Sequence, residues 1–461
     1  MIVHRRLSGF GLALFLVACN SGSLDGPGTQ APDASLDVQV RAQLSRWGVV
    51  PILPLTPPDP ALVDLGRMLF FDKILSGNRD VACASCHSPL TASGDGQSLA
   101  VGTGASIVTG LRRPGAGREV TPRNAPSLFN VALGAPYMFW DGRVSEGLGA
   151  QGFQTPAGVV LPGGLSSLLA AQAMLPVTNR VEMRGVAGDR DVLGNVNELA
   201  QIADTDNAAI WAATMRRVLA VSTYLQKFSV AYPGIPANFL GFQHAANAIA
   251  AFEAQTFTKT NSAFDRYLAR DDNALSVDAK RGALLFFTKA QCSSCHNGPM
   301  LGAQSFASAG VPQLGPGTGR AAPLDGGRED GFGPPGQGGP FFMFRVAPLR
   351  NVELSAPYMH DGAYATLEEV VRHYNNADSA LKAFDPATLD PSLRATYRGD
   401  AATIAKLLAA ADPRLRVTLR LTVEEQAQLV AFLKSLTDPS ARDMSSVIPS
   451  SVPSGLPVRD R

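Results

Sequence analysis

Four stretches of the 461-residue chain place apolar residues at helical spacing. Gly66-Arg67-Met68-Leu69-Phe70-Phe71 and Gly282-Ala283-Leu284-Leu285-Phe286-Phe287 each end an expected helix, one starting near Asp59-Pro60 and the other near Ser276. In both, the glycine and the first phenylalanine lie four apart on one face. Glycine inside a helix costs about 1 kcal/mol relative to alanine, so its presence in both predicts a close helix crossing. A third helix is expected over 242–258, with Ile249 and Phe252 inward, and a fourth after the capping box Thr422/Glu425, carrying Leu429, Phe432, Leu433 and Leu436. The Gly/Pro-rich stretch 310–339 has no apolar period and reads as loop.

The ends read differently. Residues 1–19 combine a charged start with the apolar run Leu7–Ala18, which is an export signal and too short for a membrane span. Its close, Leu16-Val17-Ala18-Cys19, resembles the bacterial lipobox, which makes Cys19 a lipidation site and places the protein on the periplasmic side of a bacterial membrane, held by a lipid anchor. Residues 20–57 read as a flexible tether and 441–461 as a loosely held tail.

Composition narrows the class. Hydrophobic residues make up 45% and charged ones only 17%, with 45 Gly and 33 Pro, which suggests compact helical pieces set in much shaped loop. A net charge of +1 provides no basic field for nucleic acid. Cysteine is the informative residue. Besides Cys19, the other four of the five fall in Cys83-Ala84-Ser85-Cys86-His87 and Cys292-Ser293-Ser294-Cys295-His296. Both are C-x-x-C-H, in which two thiols add to the vinyl groups of one porphyrin and the adjacent histidine reaches its iron. Two covalent haem c groups are therefore expected. The repetition extends further: Arg123-Asn124-Ala125-Pro126 through Ala135-Pro136-Tyr137-Met138 to Asp141-Gly142 mirrors Arg345-Val346-Ala347-Pro348 through Ala356-Pro357-Tyr358-Met359 to Asp361-Gly362. A duplicated haem module follows, mostly α with extensive loops, one copy over 58–260 and the other over 261–440.

With these residues, together with Phe139-Trp140-Asp141-Gly142-Arg143 and the segment Ala170-Ala171-Gln172 to Glu182-Met183, the chain resembles the bacterial dihaem cytochrome c peroxidase and MauG family over about residues 58 to 440. The resemblance implies two cytochrome c-like domains with a calcium ion between them, its ligands mapping onto Asn124, Ser355 and Pro357, the last two through main-chain carbonyls. It makes the His87 haem peroxidatic and the His296 haem the collector of electrons, with Trp140 between them. Glu182 matches the catalytic glutamate, and Gln172 and Pro176 its pocket neighbours. His360 is assigned to haem propionates. Where classical members place a methionine on the second iron, this chain has Tyr374, as in MauG, with His373 the competitor if the register slips by one. An anionic phenolate should lower the potential of that iron. Between His87 and His244 there is no histidine, so no loop histidine blocks the first haem, which is expected open in the oxidised resting protein. His4 belongs to the signal, and a lone His244 on a helix face reads as packing.

The function these features imply is reduction of hydrogen peroxide to water with electrons from a small cytochrome c or cupredoxin. Two alternatives stand beside it: a MauG-like oxidase that modifies a partner protein, and a passive dihaem electron carrier. Dimerisation stays open.

Overall fold

The computed structural model describes residues 34–147, 149–302, 304–331 and 339–460, so Cys19 and the expected export signal lie outside the described residues. The described residues are mostly helical, with three small antiparallel sheets among them: the hairpin Ala105–Val108/Leu111–Pro114, the three strands Tyr137–Met138, Val144–Glu146 and Phe153–Gln154, and the pair Phe306–Ala307/Phe344–Arg345. No helix among the described residues is long and apolar enough to cross a membrane.

Two helix crossings organise the molecule. Helix Pro60–Phe71 starts on Asp59, whose carboxylate accepts from the Ala61 amide, and packs along helix Phe242–Phe257. Helix Val277–Phe287 starts on Ser276, whose hydroxyl accepts from Ala279, and packs along helix Val423–Ser435, which opens on the Thr422/Glu425 capping box. The glycines make both contacts possible. A Cβ on Gly66 would lie 1.8 Å from the Ala248 carbonyl oxygen, and one on Gly282 would lie 1.9 Å from that of Gln428. Phenylalanines fill what remains: Phe70 packs on Phe252 at 5.1 Å between ring centroids, and Phe286 on Phe432 at 5.2 Å. Because the clash is backbone against side chain, Gly66→Ala is expected to destabilise by about 3 kcal/mol. Gly147→Ala, whose Cβ meets nothing within 4 Å, should be near neutral in the same denaturant titration.

One apolar cluster gathers around the Pro60–Phe71 crossing and a second around Val277–Phe287. The chain ends depart from the sequence expectation. Residues 34–46 of the expected tether form a helix that packs on Val277–Phe287, burying Val40 and Leu44 in the second cluster. Asp37 is buried there too, accepting from Lys280 at 2.9 Å and from the Tyr267 hydroxyl at 2.8 Å. The expected loose tail is likewise pinned. Ala441, Met444 and Val452 join the first cluster, Ser454 Oγ donates to Asp72 at 2.6 Å, and Asp460 pairs with Lys73 at 2.6 Å and Arg112 at 3.0 Å. Local Ser/Pro/Gly composition hid both, because their burial is set by the distant surfaces they meet.

Candidate functional site: two cavities joined by Trp140 and Arg345

The two pentads fold alike. Cys83–Cys86 is a single helical turn and Cys292–Ser294 a 3₁₀ turn, and in both the histidine amide donates to the first cysteine's carbonyl at 2.8 Å. Each imidazole is then oriented through Nδ1, 3.1 Å from the Ser93 carbonyl for His87 and 3.0 Å from that of Leu301 for His296. With the proton on Nδ1, where that contact favours it, Nε2 offers its lone pair to a metal.

Each pentad borders its own cavity. The first, ≈ 260 Å³, is lined by Cys83, Cys86 and His87 and by Gln172, Pro176 and Glu182 from across the chain. Ser167 caps the short helix Leu168–Ala173 that carries Gln172, and Pro176 opens the 3₁₀ turn that follows. Glu182 stands on a π-helical turn, Arg180–Arg184, begun by Asn179, whose side-chain oxygen accepts from the Val181 and Glu182 amides. The Thr103 amide holds the turn from outside, donating to the Glu182 carbonyl at 3.0 Å. Burial pushes the Glu182 carboxyl above the ordinary glutamate value, while the Arg143 guanidinium pulls it back. No histidine other than His87 borders this cavity among the described residues; the buried Met138 and Met183 do.

The second cavity, ≈ 220 Å³, is bordered by Cys292, Cys295, His296, His360 and Tyr374, within a wall of leucines and valines. Tyr374 and His373 are neighbours on helix Leu367–Asn375, and only Tyr374 borders the cavity. His373 is fully buried with both ring nitrogens engaged, Nδ1 by the Tyr364 hydroxyl and Nε2 by the Ala309 carbonyl. His360 stacks on Phe344 at 3.7 Å, and its Nε2 has no hydrogen-bond partner. Burial lowers its pKa to about 4, so the ring is neutral.

Trp140 and Arg345 border both cavities. The indole Nε1–H donates to the Asn124 carbonyl at 2.8 Å, and the Arg345 amide donates to the Trp140 carbonyl at 2.7 Å, so the two are tied together. The Arg345 guanidinium donates to the Phe139 carbonyl and has no carboxylate pair among the described residues. Burial lowers its pKa to about 10, Asp141 opposing. Its mirror residue Arg123 is paired instead, to Asp141 and Asp325, both at 2.6 Å. These observations fit two porphyrins: each cavity holds two thiols and an oriented imidazole, and the buried cation and the unpartnered His360 nitrogen between them suit the carboxylates such a group carries.

Two of the residues to which the resemblance assigns calcium are in contact. Asn124 Nδ2 donates to the Pro357 carbonyl at 2.7 Å, and rotation of that amide would bring two oxygens to one point. The Ser355 hydroxyl donates to the Val352 carbonyl, which leaves the main-chain carbonyl of Ser355 as the oxygen expected for calcium. His244 lies at the start of its helix, against Tyr232, away from both cavities.

Reading the sequence missed Arg143, Arg345 and Glu253 as individuals. Glu253, on helix Phe242–Phe257, borders the first cavity, is 5% exposed and has an unpartnered Oε2. Burial raises its pKa to about 8 from 4.5. A carboxyl that binds its proton more tightly when folded favours folding at low pH, and that contribution is lost as pH rises between those values. The wild type is therefore expected to lose on the order of 4 kcal/mol from about pH 5 to about pH 9 through this group, and Glu253→Gln to remove that slope in denaturant titrations.

Comparison with known proteins agrees with this geometry. Residues 60–273 match the model of the di-haem cytochrome c peroxidase family. The chain is 31% identical over 317 residues to the cytochrome c551 peroxidase of Pseudomonas aeruginosa, covering 68% of this chain and 71% of that protein. It is 29% identical over 369 residues to methylamine utilization protein MauG of Methylorubrum extorquens, covering 79% and 84%. A crystal structure of a MauG-like protein associated with microbial copper homeostasis superposes with a TM-score of 0.54 at 26% identity, over 87% of this chain and 96% of that one. The diheme peroxidase BthA from Burkholderia thailandensis shares the fold with a TM-score of 0.57 at 22% identity, over 90% and 94%. Twin cysteine–histidine cavities, their shared tryptophan and these relatives converge on one conclusion: the chain belongs to the di-haem cytochrome c peroxidase family.

Proposed function

We propose that this protein reduces hydrogen peroxide to water at the His87 cavity, using electrons that a small cytochrome c or cupredoxin delivers through the His296 cavity. The observation that carries the reading is Glu182, a carboxyl with a raised pKa facing the same cavity as His87, with Gln172 and Pro176 beside it. Haem iron bound there supplies the centre at which the O–O bond is split. Glu182 takes the proton from the near peroxide oxygen and returns it to the far one, which leaves as water. Gln172 offers an amide that donates or accepts within the same space, and Pro176 provides a wall with no amide hydrogen to compete for peroxide. Arg143 keeps the Glu182 carboxylate populated enough to act as a base.

Trp140 serves as the step between the two cavities, held by its bond to Asn124, and Arg345 would offer its charge to carboxylates of a porphyrin bound in either cavity. Tyr374 is the side chain for the second iron, with His373 committed elsewhere. Burial raises the phenol's pKa, so Tyr374 would keep its proton unless the charge of a bound metal offset that burial. Asn124, Pro357 and Ser355 hold calcium at the junction, and the protein works on the periplasmic side of its membrane. Tyr374 also favours the second reading, a MauG-like oxidase acting on a partner protein. One experiment tests both: mix the haem-loaded protein with peroxide and follow the spectrum with and without reduced cytochrome c. Fast donor oxidation is expected. A long-lived oxidised species with sluggish donor turnover would move the assignment to the oxidase, and no reaction with peroxide would overturn both.

A further inference from the structure

The π-helical turn Arg180–Arg184, which carries Glu182, is gripped from two sides by other backbone. On one side the Gly77 amide donates to the Met183 carbonyl at 2.7 Å, and a Cβ on Gly77 would lie 1.9 Å from the Arg184 carbonyl oxygen. On the other the Thr103 amide donates to the Glu182 carbonyl at 3.0 Å, and a Cβ on Gly102 would lie 2.0 Å from the Val181 carbonyl oxygen. A single π turn is a rare conformation that its surroundings must hold, so these two grips set where Glu182 points.

Each grip leads back to a nearly buried cation. Lys73, its side chain 9% exposed, stands on the 3₁₀ turn Lys73–Leu75, which places Leu75 on the wall of the first cavity and runs through Ser76 into Gly77. Arg112, 5% exposed, donates from Nε to the Val101 carbonyl at 2.7 Å and from Nη2 to the Gly102 carbonyl at 2.6 Å, which holds the run of chain leading into Thr103. Both cations end on one carboxylate. Asp460 accepts from Lys73 Nζ at 2.6 Å and from Arg112 Nη1 at 3.0 Å, and no other carboxylate pairs with either among the described residues. The chain before Asp460 is itself anchored, by Val452 in the first cluster and by Ser454 on Asp72. Asp460 lies outside both copies of the repeat, in the segment that the sequence reads as a loose tail.

We propose that Asp460 is a positioning residue of the peroxide site, closing a clamp whose two arms, through Lys73 to Gly77 and through Arg112 to Gly102 and Thr103, fix the Glu182 turn. The clamp rests on the reading of Glu182 as the proton carrier for peroxide. Without the carboxylate, the two nearly buried cations that share it lose their counter-charge, and each recovers solvation only by swinging outward. Arg112 then releases the Val101 and Gly102 carbonyls, and the displaced Lys73 turn pulls on Gly77. The turn loses both grips, and the Glu182 carboxyl spends less of its time where a proton can pass between the peroxide oxygens. Asp460 touches no reacting atom and acts on turnover only through Glu182.

The test joins hydrogen exchange of the haem-loaded protein, read by mass spectrometry on peptides spanning Gly77 and Thr103, to stopped-flow mixing with peroxide. In Asp460→Asn both amides should exchange about tenfold faster, while helix Val277–Phe287 exchanges as in the wild type. The peroxide step should slow by about ten- to a hundredfold with the spectrum of the second haem unchanged. Asp460→Glu should restore most of both. In Glu182→Gln protein, which has already lost the proton carrier, Asp460→Asn should slow the residual reaction no further. Lys73→Met opens one arm only: it should speed exchange at Gly77 and spare Thr103, which keeps the clamp falsifiable if the asparagine variant does not fold. Unchanged exchange at both amides in Asp460→Asn, or at Gly77 in Lys73→Met, would overturn the clamp. So would faster exchange with a full peroxide rate, or equal slowing with and without Glu182. If the wild type does not react with peroxide, the proposed activity fails by itself. Exchange at Gly77 and Thr103 then still decides the clamp, faster exchange in Asp460→Asn upholding it and unchanged exchange overturning it.

Discussion

Replacing Glu182 by glutamine is expected to slow peroxide turnover by about a hundred- to ten-thousand-fold while leaving both haem spectra unchanged. Glutamine keeps the size and a hydrogen-bonding oxygen and loses only the capacity to carry a proton. Position is not at issue, because the backbone of the turn is fixed by Asn179 from within and by Thr103 from outside. The pH profile provides a second readout. Burial raises the Glu182 pKa above the ordinary carboxyl value, so the carboxylate that starts the shuttle is lost as pH falls through that raised value. The wild-type rate should therefore fall on the acid side, and the glutamine variant should show no such limb. Arg143→Gln removes the charge that opposes the shift and should move the limb to higher pH. Full turnover in Glu182→Gln would show that the proton comes from elsewhere.

The second large effect is expected from replacing Cys292 and Cys295 together by serine. Denatured protein should then carry one covalent haem instead of two, by mass and by haem staining, and donor-linked turnover should be lost while peroxide still perturbs the first haem. Stability should fall as well. The second cavity is walled by leucine and valine, and leaving its ≈ 220 Å³ empty costs about 5 kcal/mol at roughly 24 cal/mol per Å³. Two haems surviving denaturation would remove the basis for reading the pentads as attachment sites.

Some of this site is legible in the residues and some is not, for physical reasons. The pentads can be read because porphyrin chemistry dictates their spacing, and Gly66 and Gly282 because a glycine in an apolar helix needs a cause, here a backbone carbonyl within 2 Å of where a Cβ would be. Arg345 cannot be read in the same way. As a sequence it is one of many arginines, and only the fold shows it bordering both cavities with no carboxylate on it. Glu253 looks like an ordinary helical glutamate until helix Phe242–Phe257 turns it inward. The ambiguity between His373 and Tyr374 is one of rotation. Successive residues on a helix point about 100° apart, and Tyr374 falls in line with Leu367, Val370 and Val371 on the face that borders the cavity, while His373 falls off it. The helix at 34–46 was missed although Val40 and Leu44 have the right spacing, because they stand in surroundings that read as linker.

Each end of the described chain completes the core that belongs to the other half: helix Ala34–Arg46 is buried in the second cluster, and the segment around Met444 and Val452 in the first. The two halves are thus clasped reciprocally, and a nick in the connection near Asn261 would not release two independent domains. The fragments would stay together as a complementing pair, each short of its own apolar wall when alone. Intact protein should accordingly melt in one transition with both haems reporting the same midpoint, because loosening either core frees a strap that the other needs.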